Sequence, residues 1–340
     1  MSVVLGIDTG GTFTDGVIID LSTKEIKTAA KSPTTHHDLI IGIRNALNQL
    51  SSEDMAQVEY ISLSTTLATN AIVENRGCRV GLLLLGLDID QGLPQCEIKT
   101  LPGRYNIRGE ETEALDLEAT AQAIEELRHK VDAVAVSGIF SVRNPGHETT
   151  VKAMVRKSLG LPVVAAHELS SVLGMKERAV TAVLNARLIY VIDQLLTAVK
   201  DILRERNLDI PIMVVKGDGS LMSESLARER PIETILSGPA ASIIGANFLS
   251  DTENGIVLDM GGTTTDIAVL KNGMPRLDKE GAKVGGWRTR VEAVEATTYG
   301  LGGDSRIHYN PVRKSFEAGP RRSWPVAVTC RDYPHYLDEL

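Results

Sequence analysis

One eight-residue pattern occurs twice in this chain: Asp8-Thr9-Gly10-Gly11-Thr12-Phe13-Thr14-Asp15, and, 251 positions later, Asp259-Met260-Gly261-Gly262-Thr263-Thr264-Thr265-Asp266. Both copies read Asp-x-Gly-Gly-Thr-x-Thr-Asp. Each is preceded by a short apolar run, at 3–7 and 256–258, and followed by another, at 17–19 and 267–270. Strand-like runs on both sides of a Gly/Thr turn predict a β-hairpin. One hairpin of this kind would be a turn, whereas two, a domain length apart, suggest a pair of jaws.

The 340 residues fit two domains of roughly 150 each, and 43% hydrophobic residues are enough for two cores. Aromatics make up only 4% while glycine reaches 30, a mixture that suits buried parallel sheets flanked by helices. With a net charge of −8 and no cluster of Lys and Arg, an extended nucleic-acid surface is excluded. Cys78, Cys96 and Cys330 lie far apart, without metal-ligand spacing, which points to a reducing compartment. Near the first residues there is no basic, apolar and small-residue succession of a secretory signal, and no 18 uninterrupted apolar residues occur. The expectation is a soluble cytoplasmic protein with no membrane span.

Strand-like runs at 24–31, 58–63, 80–85, 133–136, 162–165 and 210–215 alternate with helical spacing at 38–50, 66–74, 117–130, 147–159 and 176–206. Such alternation predicts βαβ units and a mainly parallel sheet. The stretch 86–113 lacks periodicity and reads as a long excursion: a loop, a lid or a small hairpin insert. The helix at 176–206 is a candidate spine between halves, so the expected division is 1–175 and 176–340. About 70 residues follow position 270, broken by prolines at 311, 320, 325 and 334; a second domain like the first needs more, and is expected to be incomplete.

A polyphosphate is held when backbone N–H groups converge on its oxygens, and a Gly-Gly pair allows that approach because no Cβ intervenes. Gly10, Gly11, Gly261 and Gly262 are the candidates, with hydroxyl donors from Thr12, Thr14, Thr263 and Thr265. Asp8 and Asp259 precede the glycines, where a carboxylate repels phosphate unless a cation lies between. Magnesium with retained waters is the natural choice, and these two aspartates are its candidate ligands. Asp15 and Asp266 close each motif, either as hairpin clasps or as catalytic carboxylates. No G-x-x-x-x-G-K-[ST] is present, so this is not a P-loop.

In these two hairpins the chain resembles the phosphate-1 and phosphate-2 elements of the actin-like ATPase superfamily. The form of the first, with Ser64-Thr65-Thr66-Leu67-Ala68-Thr69-Asn70-Ala71, Glu177-Arg178-Ala179-Val180-Thr181 and Ser237-Gly238-Pro239-Ala240-Ala241, is similar to the hydantoinase A/oxoprolinase branch. The resemblance covers residues 3 to about 270. It implies an α/β actin-like (ribonuclease H-like) fold with two related domains around a cleft, ATP and Mg2+ as cofactors, and ATP-dependent opening of a cyclic amide such as hydantoin or 5-oxoproline. It also implies a hydantoinase B-like partner subunit and leaves oligomerisation open. Asp8 is then the first candidate for an acid near the γ-phosphate and Asp259 for the metal organiser.

Other segments are weighed within that frame. Thr66, Thr69 and Asn70 share one helical face; Thr65 or Thr66 suits capping, and Thr69 and Asn70 read as lining the cleft near the substrate. The small residues of 237–246 suit a hinge helix. Asp218, in a glycine-rich turn after a strand, sits where α/β sheets bind ligands. Gly302-Gly303-Asp304-Ser305 departs from the Gly-Gly-Gly-Ser of the branch, and His36 and His37 read as loop residues. Three other functions stay open: a ketone carboxylase subunit acting on an enol, a sugar or acid kinase, and an actin-like ATPase switch that moves a protein partner.

Overall fold

The computed structural model describes the chain apart from Met1, Gly11, residues 36–38, Asp90, Asp251, Thr263, Pro325 and Leu340. Gly11 and Thr263 of the two motifs, with His36 and His37, therefore lie outside the described residues. Packing groups the chain into two compact units: Met1–Ala240 with Leu277–Ala293, and Ala241–Arg276 with Val294–Leu340. This grouping differs from a division in chain order at 175/176, because the long helix starting at Met175 is buried inside the first unit.

The first unit opens with β1 (Val3–Thr9), β2 (Phe13–Asp20), β3 (Glu25–Pro33), α1 (Leu39–Gln49), β4 (Tyr60–Thr65) and α2 (Leu67–Val73). It continues through β5 (Val80–Leu85), β6 (Glu97–Leu101), α3 (Leu117–Leu127), β7 (Ala133–Gly138), α4 (Gly146–Leu159) and β8 (Val163–Ala165). Then come α5 (Met175–Glu205), β9 (Ile212–Val215) and β10 (Leu221–Ser223). The strands form two sheets where one was expected. The first, in the order β10-β9-β4-β1-β2-β3, is parallel through β9, β4 and β1 and antiparallel at its margins. The second, β8-β7-β5-β6, is wholly parallel.

Helix α5 explains why there are two. Val180, Leu184, Leu188 and Ile192 recur at helical spacing and join Leu5, Ile7, Ile61 and Leu63 in the core of the first sheet. The opposite stripe of small residues, Ala179, Ala182, Val183 and Ala186, packs on Val80, Leu82, Leu84 and Ala135 of the second. A helix apolar on two faces must be covered on both. It is thus a spine between two sheets of one unit. By length and composition this helix could cross a membrane, but 72% of its most apolar window is buried in the protein. A third core lies on the far face of the second sheet, where Leu83, Leu85 and Val136 meet Ile124, Leu127, Val151 and Val155.

The 86–113 excursion contains an element that periodicity missed: β6 joins β5 in parallel. Its residues are mostly exposed at the sheet margin, so it has no apolar signature to detect. A small hairpin, Arg104–Tyr105 against Glu111–Glu113, completes the excursion.

α6 (Ser237–Ser250) carries the boundary between the units within it, at 240/241. The second unit then builds a sheet from β11 (Gly255–Met260), β12 (Thr265–Lys271) and β13 (Ala296–Tyr299), and a separate hairpin pairs Ser305–Asn310 with Ser315–Arg322. Its β11 differs from its counterpart in one respect. Leu5, Ile7 and Thr9 of β1 are 0%, 3% and 1% exposed, while the equivalent Ile256, Leu258 and Met260 are 68%, 66% and 61% exposed. The same apolar face is buried in one copy and open in the other.

Candidate functional site

The two hairpins have the same internal geometry. β1 and β2 pair Asp8 with Asp15 and Thr9 with Thr14; β11 and β12 pair Asp259 with Asp266 and Met260 with Thr265. Each tip closes with one backbone bond at the same place, Gly10 N–H to Phe13 O at 3.0 Å and Gly261 N–H to Thr264 O at 2.9 Å. The aspartate that opens each motif stands two residues before that bond, on the last turn of strand.

In the first unit, β1, β4 and β9 run parallel, so their C-terminal ends share one sheet edge. That edge is where open α/β sheets place ligands. It gathers Asp8, Thr9 and Gly10 with Ser64, Thr65 and Thr66, and with Lys216 and Asp218. Asp8 and Ser64 are register partners, and the buried Ser64 hydroxyl donates to the Asp8 carboxylate. Next to it, the Thr9 hydroxyl is buried with no partner. A Cβ on Gly10 would lie 3.2 Å from Phe13 O and 3.7 Å from the Asp8 carboxylate, so glycine keeps open the space over that carboxylate.

Not every threonine of the motifs faces this space. Thr12 is exposed, but Thr14 is fully buried with its hydroxyl 3.2 Å from that of Thr34, and Thr265 is buried with its hydroxyl donating 2.6 Å to Leu301 O. The closing aspartates each reach the neighbouring strand. Asp15 pairs with Lys31 at 2.5 Å, and Asp266 accepts from the Thr298 hydroxyl at 2.5 Å. These ties run to side chains of the neighbouring strands, not to backbone N–H groups of the turns.

The end of β4 and helix α2 are tied by polar contacts to Leu236 and Ser237 within the first unit. Thr65 Oγ1 accepts from Leu67 N–H at 3.1 Å just before α2, whose N-cap, Thr66, makes no side-chain cap bond. Thr69 Oγ1 accepts from Leu236 N–H at 3.0 Å, and Asn70 Nδ2 donates to Thr66 Oγ1 at 3.3 Å. The buried Ser237 hydroxyl spans the strand end, donating to Thr65 O at 3.0 Å and accepting Thr65 N–H at 3.2 Å. Leu236 sits at φ +59°, a left-handed conformation that costs a side-chain-bearing residue about 1–3 kcal/mol. The bonds on either side of it offset that strain.

At the end of β9, the Lys216 ammonium lies 3.1 Å from Asp218 and 3.1 Å from Glu233. Burial alone would depress the lysine, but its bonds to Glu233 and Asp218 outweigh that and raise it. Burial likewise pushes Asp218 upward, and bonds from Ser220 and Lys216 override it, holding the carboxyl below its ordinary value. Gly217 makes this arrangement possible, since a Cβ there would stand 2.3 Å from Ile235 O. Lys216, Asp218 and Glu233 line a cavity of about 230 Å³ with Ser170, Ser171 and Arg290.

In the second unit the 302–305 turn lies against the tip of the hairpin: Gly303 N–H donates to Gly261 O and Asp304 N–H to Gly262 O, both at 2.9 Å. Asp304 Oδ1 is buried without a partner, while Oδ2 is held by Arg322. The aspartate that breaks the Gly-Gly-Gly-Ser pattern is thus attached to the glycines of the motif.

The residues fit the phosphates of a nucleotide, by the unfilled space over Gly10 and the unpartnered Thr9 hydroxyl. Among the described residues no three His, Cys, Asp or Glu side chains cluster to cage a metal. Magnesium on a nucleotide needs only one or two carboxylates, the rest of its shell being phosphate and water. Asp8 fits that part.

The sequence pattern of the hydantoinase/oxoprolinase N-terminal region matches residues 4–159, and that of hydantoinase/oxoprolinase matches 178–327. The chain belongs to the hydantoinase/oxoprolinase family. Among the relatives is caprolactamase subunit alpha of Pseudomonas jessenii, 31% identical across 93% of this chain and 50% of the relative. The acetophenone carboxylase gamma subunit of Aromatoleum aromaticum is 28% identical across 93% and 49%. The crystal structure of the ATP-dependent caprolactamase from Pseudomonas jessenii superposes with a TM-score of 0.76 at 28% identity, over 96% of this chain and 51% of that one. The fold is the actin-like ATPase type expected from the motifs. This chain spans about half the length of these members of the family.

Proposed function

We propose that this chain is the ATP-using part of a cytoplasmic cyclic amidohydrolase, which opens a small ring amide after its carbonyl or enol oxygen has been phosphorylated. The observation that supports this reading most is the repeated hairpin, closed by the same bond in both copies, with an aspartate at the same place before the glycines. Membership of the family and the 31% identity to a caprolactamase subunit support the amide as substrate class.

When bound, ATP supplies the phosphoryl group that makes the amide oxygen a leaving group. The hydroxyls of Thr9 and Thr12 bind phosphate oxygens, while the Gly10 and Gly261 N–H groups close the two turns. Asp8, and Asp259 at the same place in its own hairpin, would supply carboxylates to magnesium, and the Ser64 hydroxyl donates to the Asp8 carboxylate. Fixing these groups beforehand lowers the reorganisation that charge transfer demands. Over the whole reaction two waters enter, one to open the ring C–N bond and one to release phosphate from the activated carbonyl, and ATP becomes ADP and phosphate. Relatives named as subunits support a partner chain for the hydrolytic half.

A second reading is a ketone carboxylase subunit, which the similarity to the acetophenone carboxylase gamma subunit favours. Phosphate release from MgATP, measured with the chain and its partner subunits, separates the two. Stimulation by hydantoin, 5-oxoproline or caprolactam without bicarbonate is expected; stimulation only by a ketone with bicarbonate would replace the amidase with the carboxylase.

A further inference from the structure

The cavity at the end of β9 has an unusual lining for a cleft beside a phosphate site. Lys216, Lys279 and Arg290 line it together with Asp218, Glu233, Glu280 and Glu292, so that it carries both donors and acceptors and the formal sum is one negative charge. Its volume of about 230 Å³ is several times the ~30 Å³ that one water occupies in the liquid. An ammonium has three N–H donors. Two of those of Lys216 are taken by Asp218 Oδ2 and Glu233 Oε2, which leaves the third. Arg290, also in the lining, has a buried Nε with no partner among the described residues, while its Nη1 donates to Glu280 O at 3.2 Å. Among the described residues Asp218 Oδ2 receives Lys216 alone, and Oδ1 receives the Ser220 backbone and hydroxyl.

A spare N–H donor therefore stands beside a carboxylate with a spare lone pair, on one side chain pair fixed at 3.1 Å. A ring small enough to enter has its amide locked cis, so that C=O and N–H leave the same edge. Open-chain amides present that edge rarely, because cis costs them about 2.5–4 kcal/mol. We propose that this cavity binds the cis-amide edge of a neutral ring, with Lys216 donating to the carbonyl oxygen and Asp218 accepting the ring N–H. This rests on the amidohydrolase reading and narrows it. The surplus negative charge disfavours a ring bearing its own carboxylate, and a ketone has no N–H for Asp218. Leaving a buried carboxylate unmatched is what makes a site built for a polar hydrogen reject the analogue that lacks it.

The test uses four five-membered rings that differ by single groups: 2-pyrrolidinone, N-methyl-2-pyrrolidinone, cyclopentanone and 5-oxoproline. Binding is followed by saturation-transfer NMR on the full chain with its partner subunits, and MgATP affinity is measured alongside. The expected order places 2-pyrrolidinone first, with the N-methyl ring and the ketone weaker by about tenfold or more, as for loss of a bond to a charged group. Lys216→Met lowers 2-pyrrolidinone binding by a similar factor and leaves MgATP affinity unchanged; Asp218→Asn, which preserves shape, narrows the gap between the N–H and N-methyl rings. Equal binding of the N-methyl ring, preference for 5-oxoproline, or no binding of any ring to the unmodified protein overturns the proposal. Lactam-stimulated phosphate release that ignores N-methylation would do so while leaving the amidohydrolase reading intact, whereas release driven only by ketone and bicarbonate would remove that reading itself.

Discussion

Ser64 and Asp8 lie side by side on parallel strands, and the serine hydroxyl donates to the aspartate carboxylate at the edge where the first hairpin turns. A buried donor on one oxygen of a carboxylate fixes its direction without neutralising it. Ser64→Ala removes that donor and leaves Asp8 in place. Turnover of MgATP is expected to fall about tenfold, in line with the ~1.5–3 kcal/mol of a hydrogen bond to a charged group. Steady-state phosphate release reads the effect, and Ser64→Thr should restore most of it.

Asp15 and Asp266 stand in the same motifs as Asp8 and Asp259 but tie neighbouring strands instead. The Asp15–Lys31 pair is partly exposed on both sides, and exposed pairs contribute under about 1 kcal/mol. Asp15→Asn and Asp266→Asn are expected to shift the urea midpoint slightly and keep MgATP turnover within about twofold. A loss comparable to that at Asp8 would show these carboxylates to be part of the chemistry.

The contrast between buried and open copies of one hairpin face gives a paired stability test. Leu184, fully buried on α5 against the first sheet, should cost about 2–5 kcal/mol when changed to Ala. Leu258, 66% exposed on β11, should cost no more than about 0.5 kcal/mol when changed to Lys. Because open apolar sheet faces drive association, Leu258→Lys should also reduce self-association of the chain in sedimentation velocity.

Asp218 sets a pH limit on the loop after β9. Its carboxyl is held below the ordinary value of 3.8 in the folded protein, so the stabilisation is complete above that value and is lost as pH falls through the depressed folded value. Lys216 is raised above 10.5, so its contribution is complete below that value and lost as pH rises further. Denaturation at pH 7 should find Asp218→Asn less stable than the parent, and the difference should shrink as pH falls below 3.8 through the depressed folded value.

Much of the fold was legible because its signals are local. The two hairpins, the alternation of strands and helices, and α5 all follow from apolar period and glycine placement, and each appears within a few residues of its expected position. What periodicity could not supply was partnership. The split into two sheets depends on α5 having two apolar faces, and β6 is an exposed marginal strand with no apolar run. The site was legible to the same degree. Asp8 and Gly10 stand where the pattern put them, but Ser64, Glu233 and Ser237 entered only through the parallel register of β1, β4 and β9 and the fold-back at 233–237. Thr14 and Thr265 read as hydroxyl donors in sequence; their buried bonds to Thr34 and Leu301 follow from neighbours 20 and 36 residues away.

The most direct test of the account is MgATP turnover in Asp8→Ala and Asp259→Ala, each with a lactam present and with folding checked by thermal unfolding. Both variants should stay folded and lose at least about 100-fold in phosphate release, the scale on which preorganised charge stabilisation is lost. Unchanged nucleotide affinity and turnover in both would contradict the assignment of the repeated hairpins as the phosphate-binding elements.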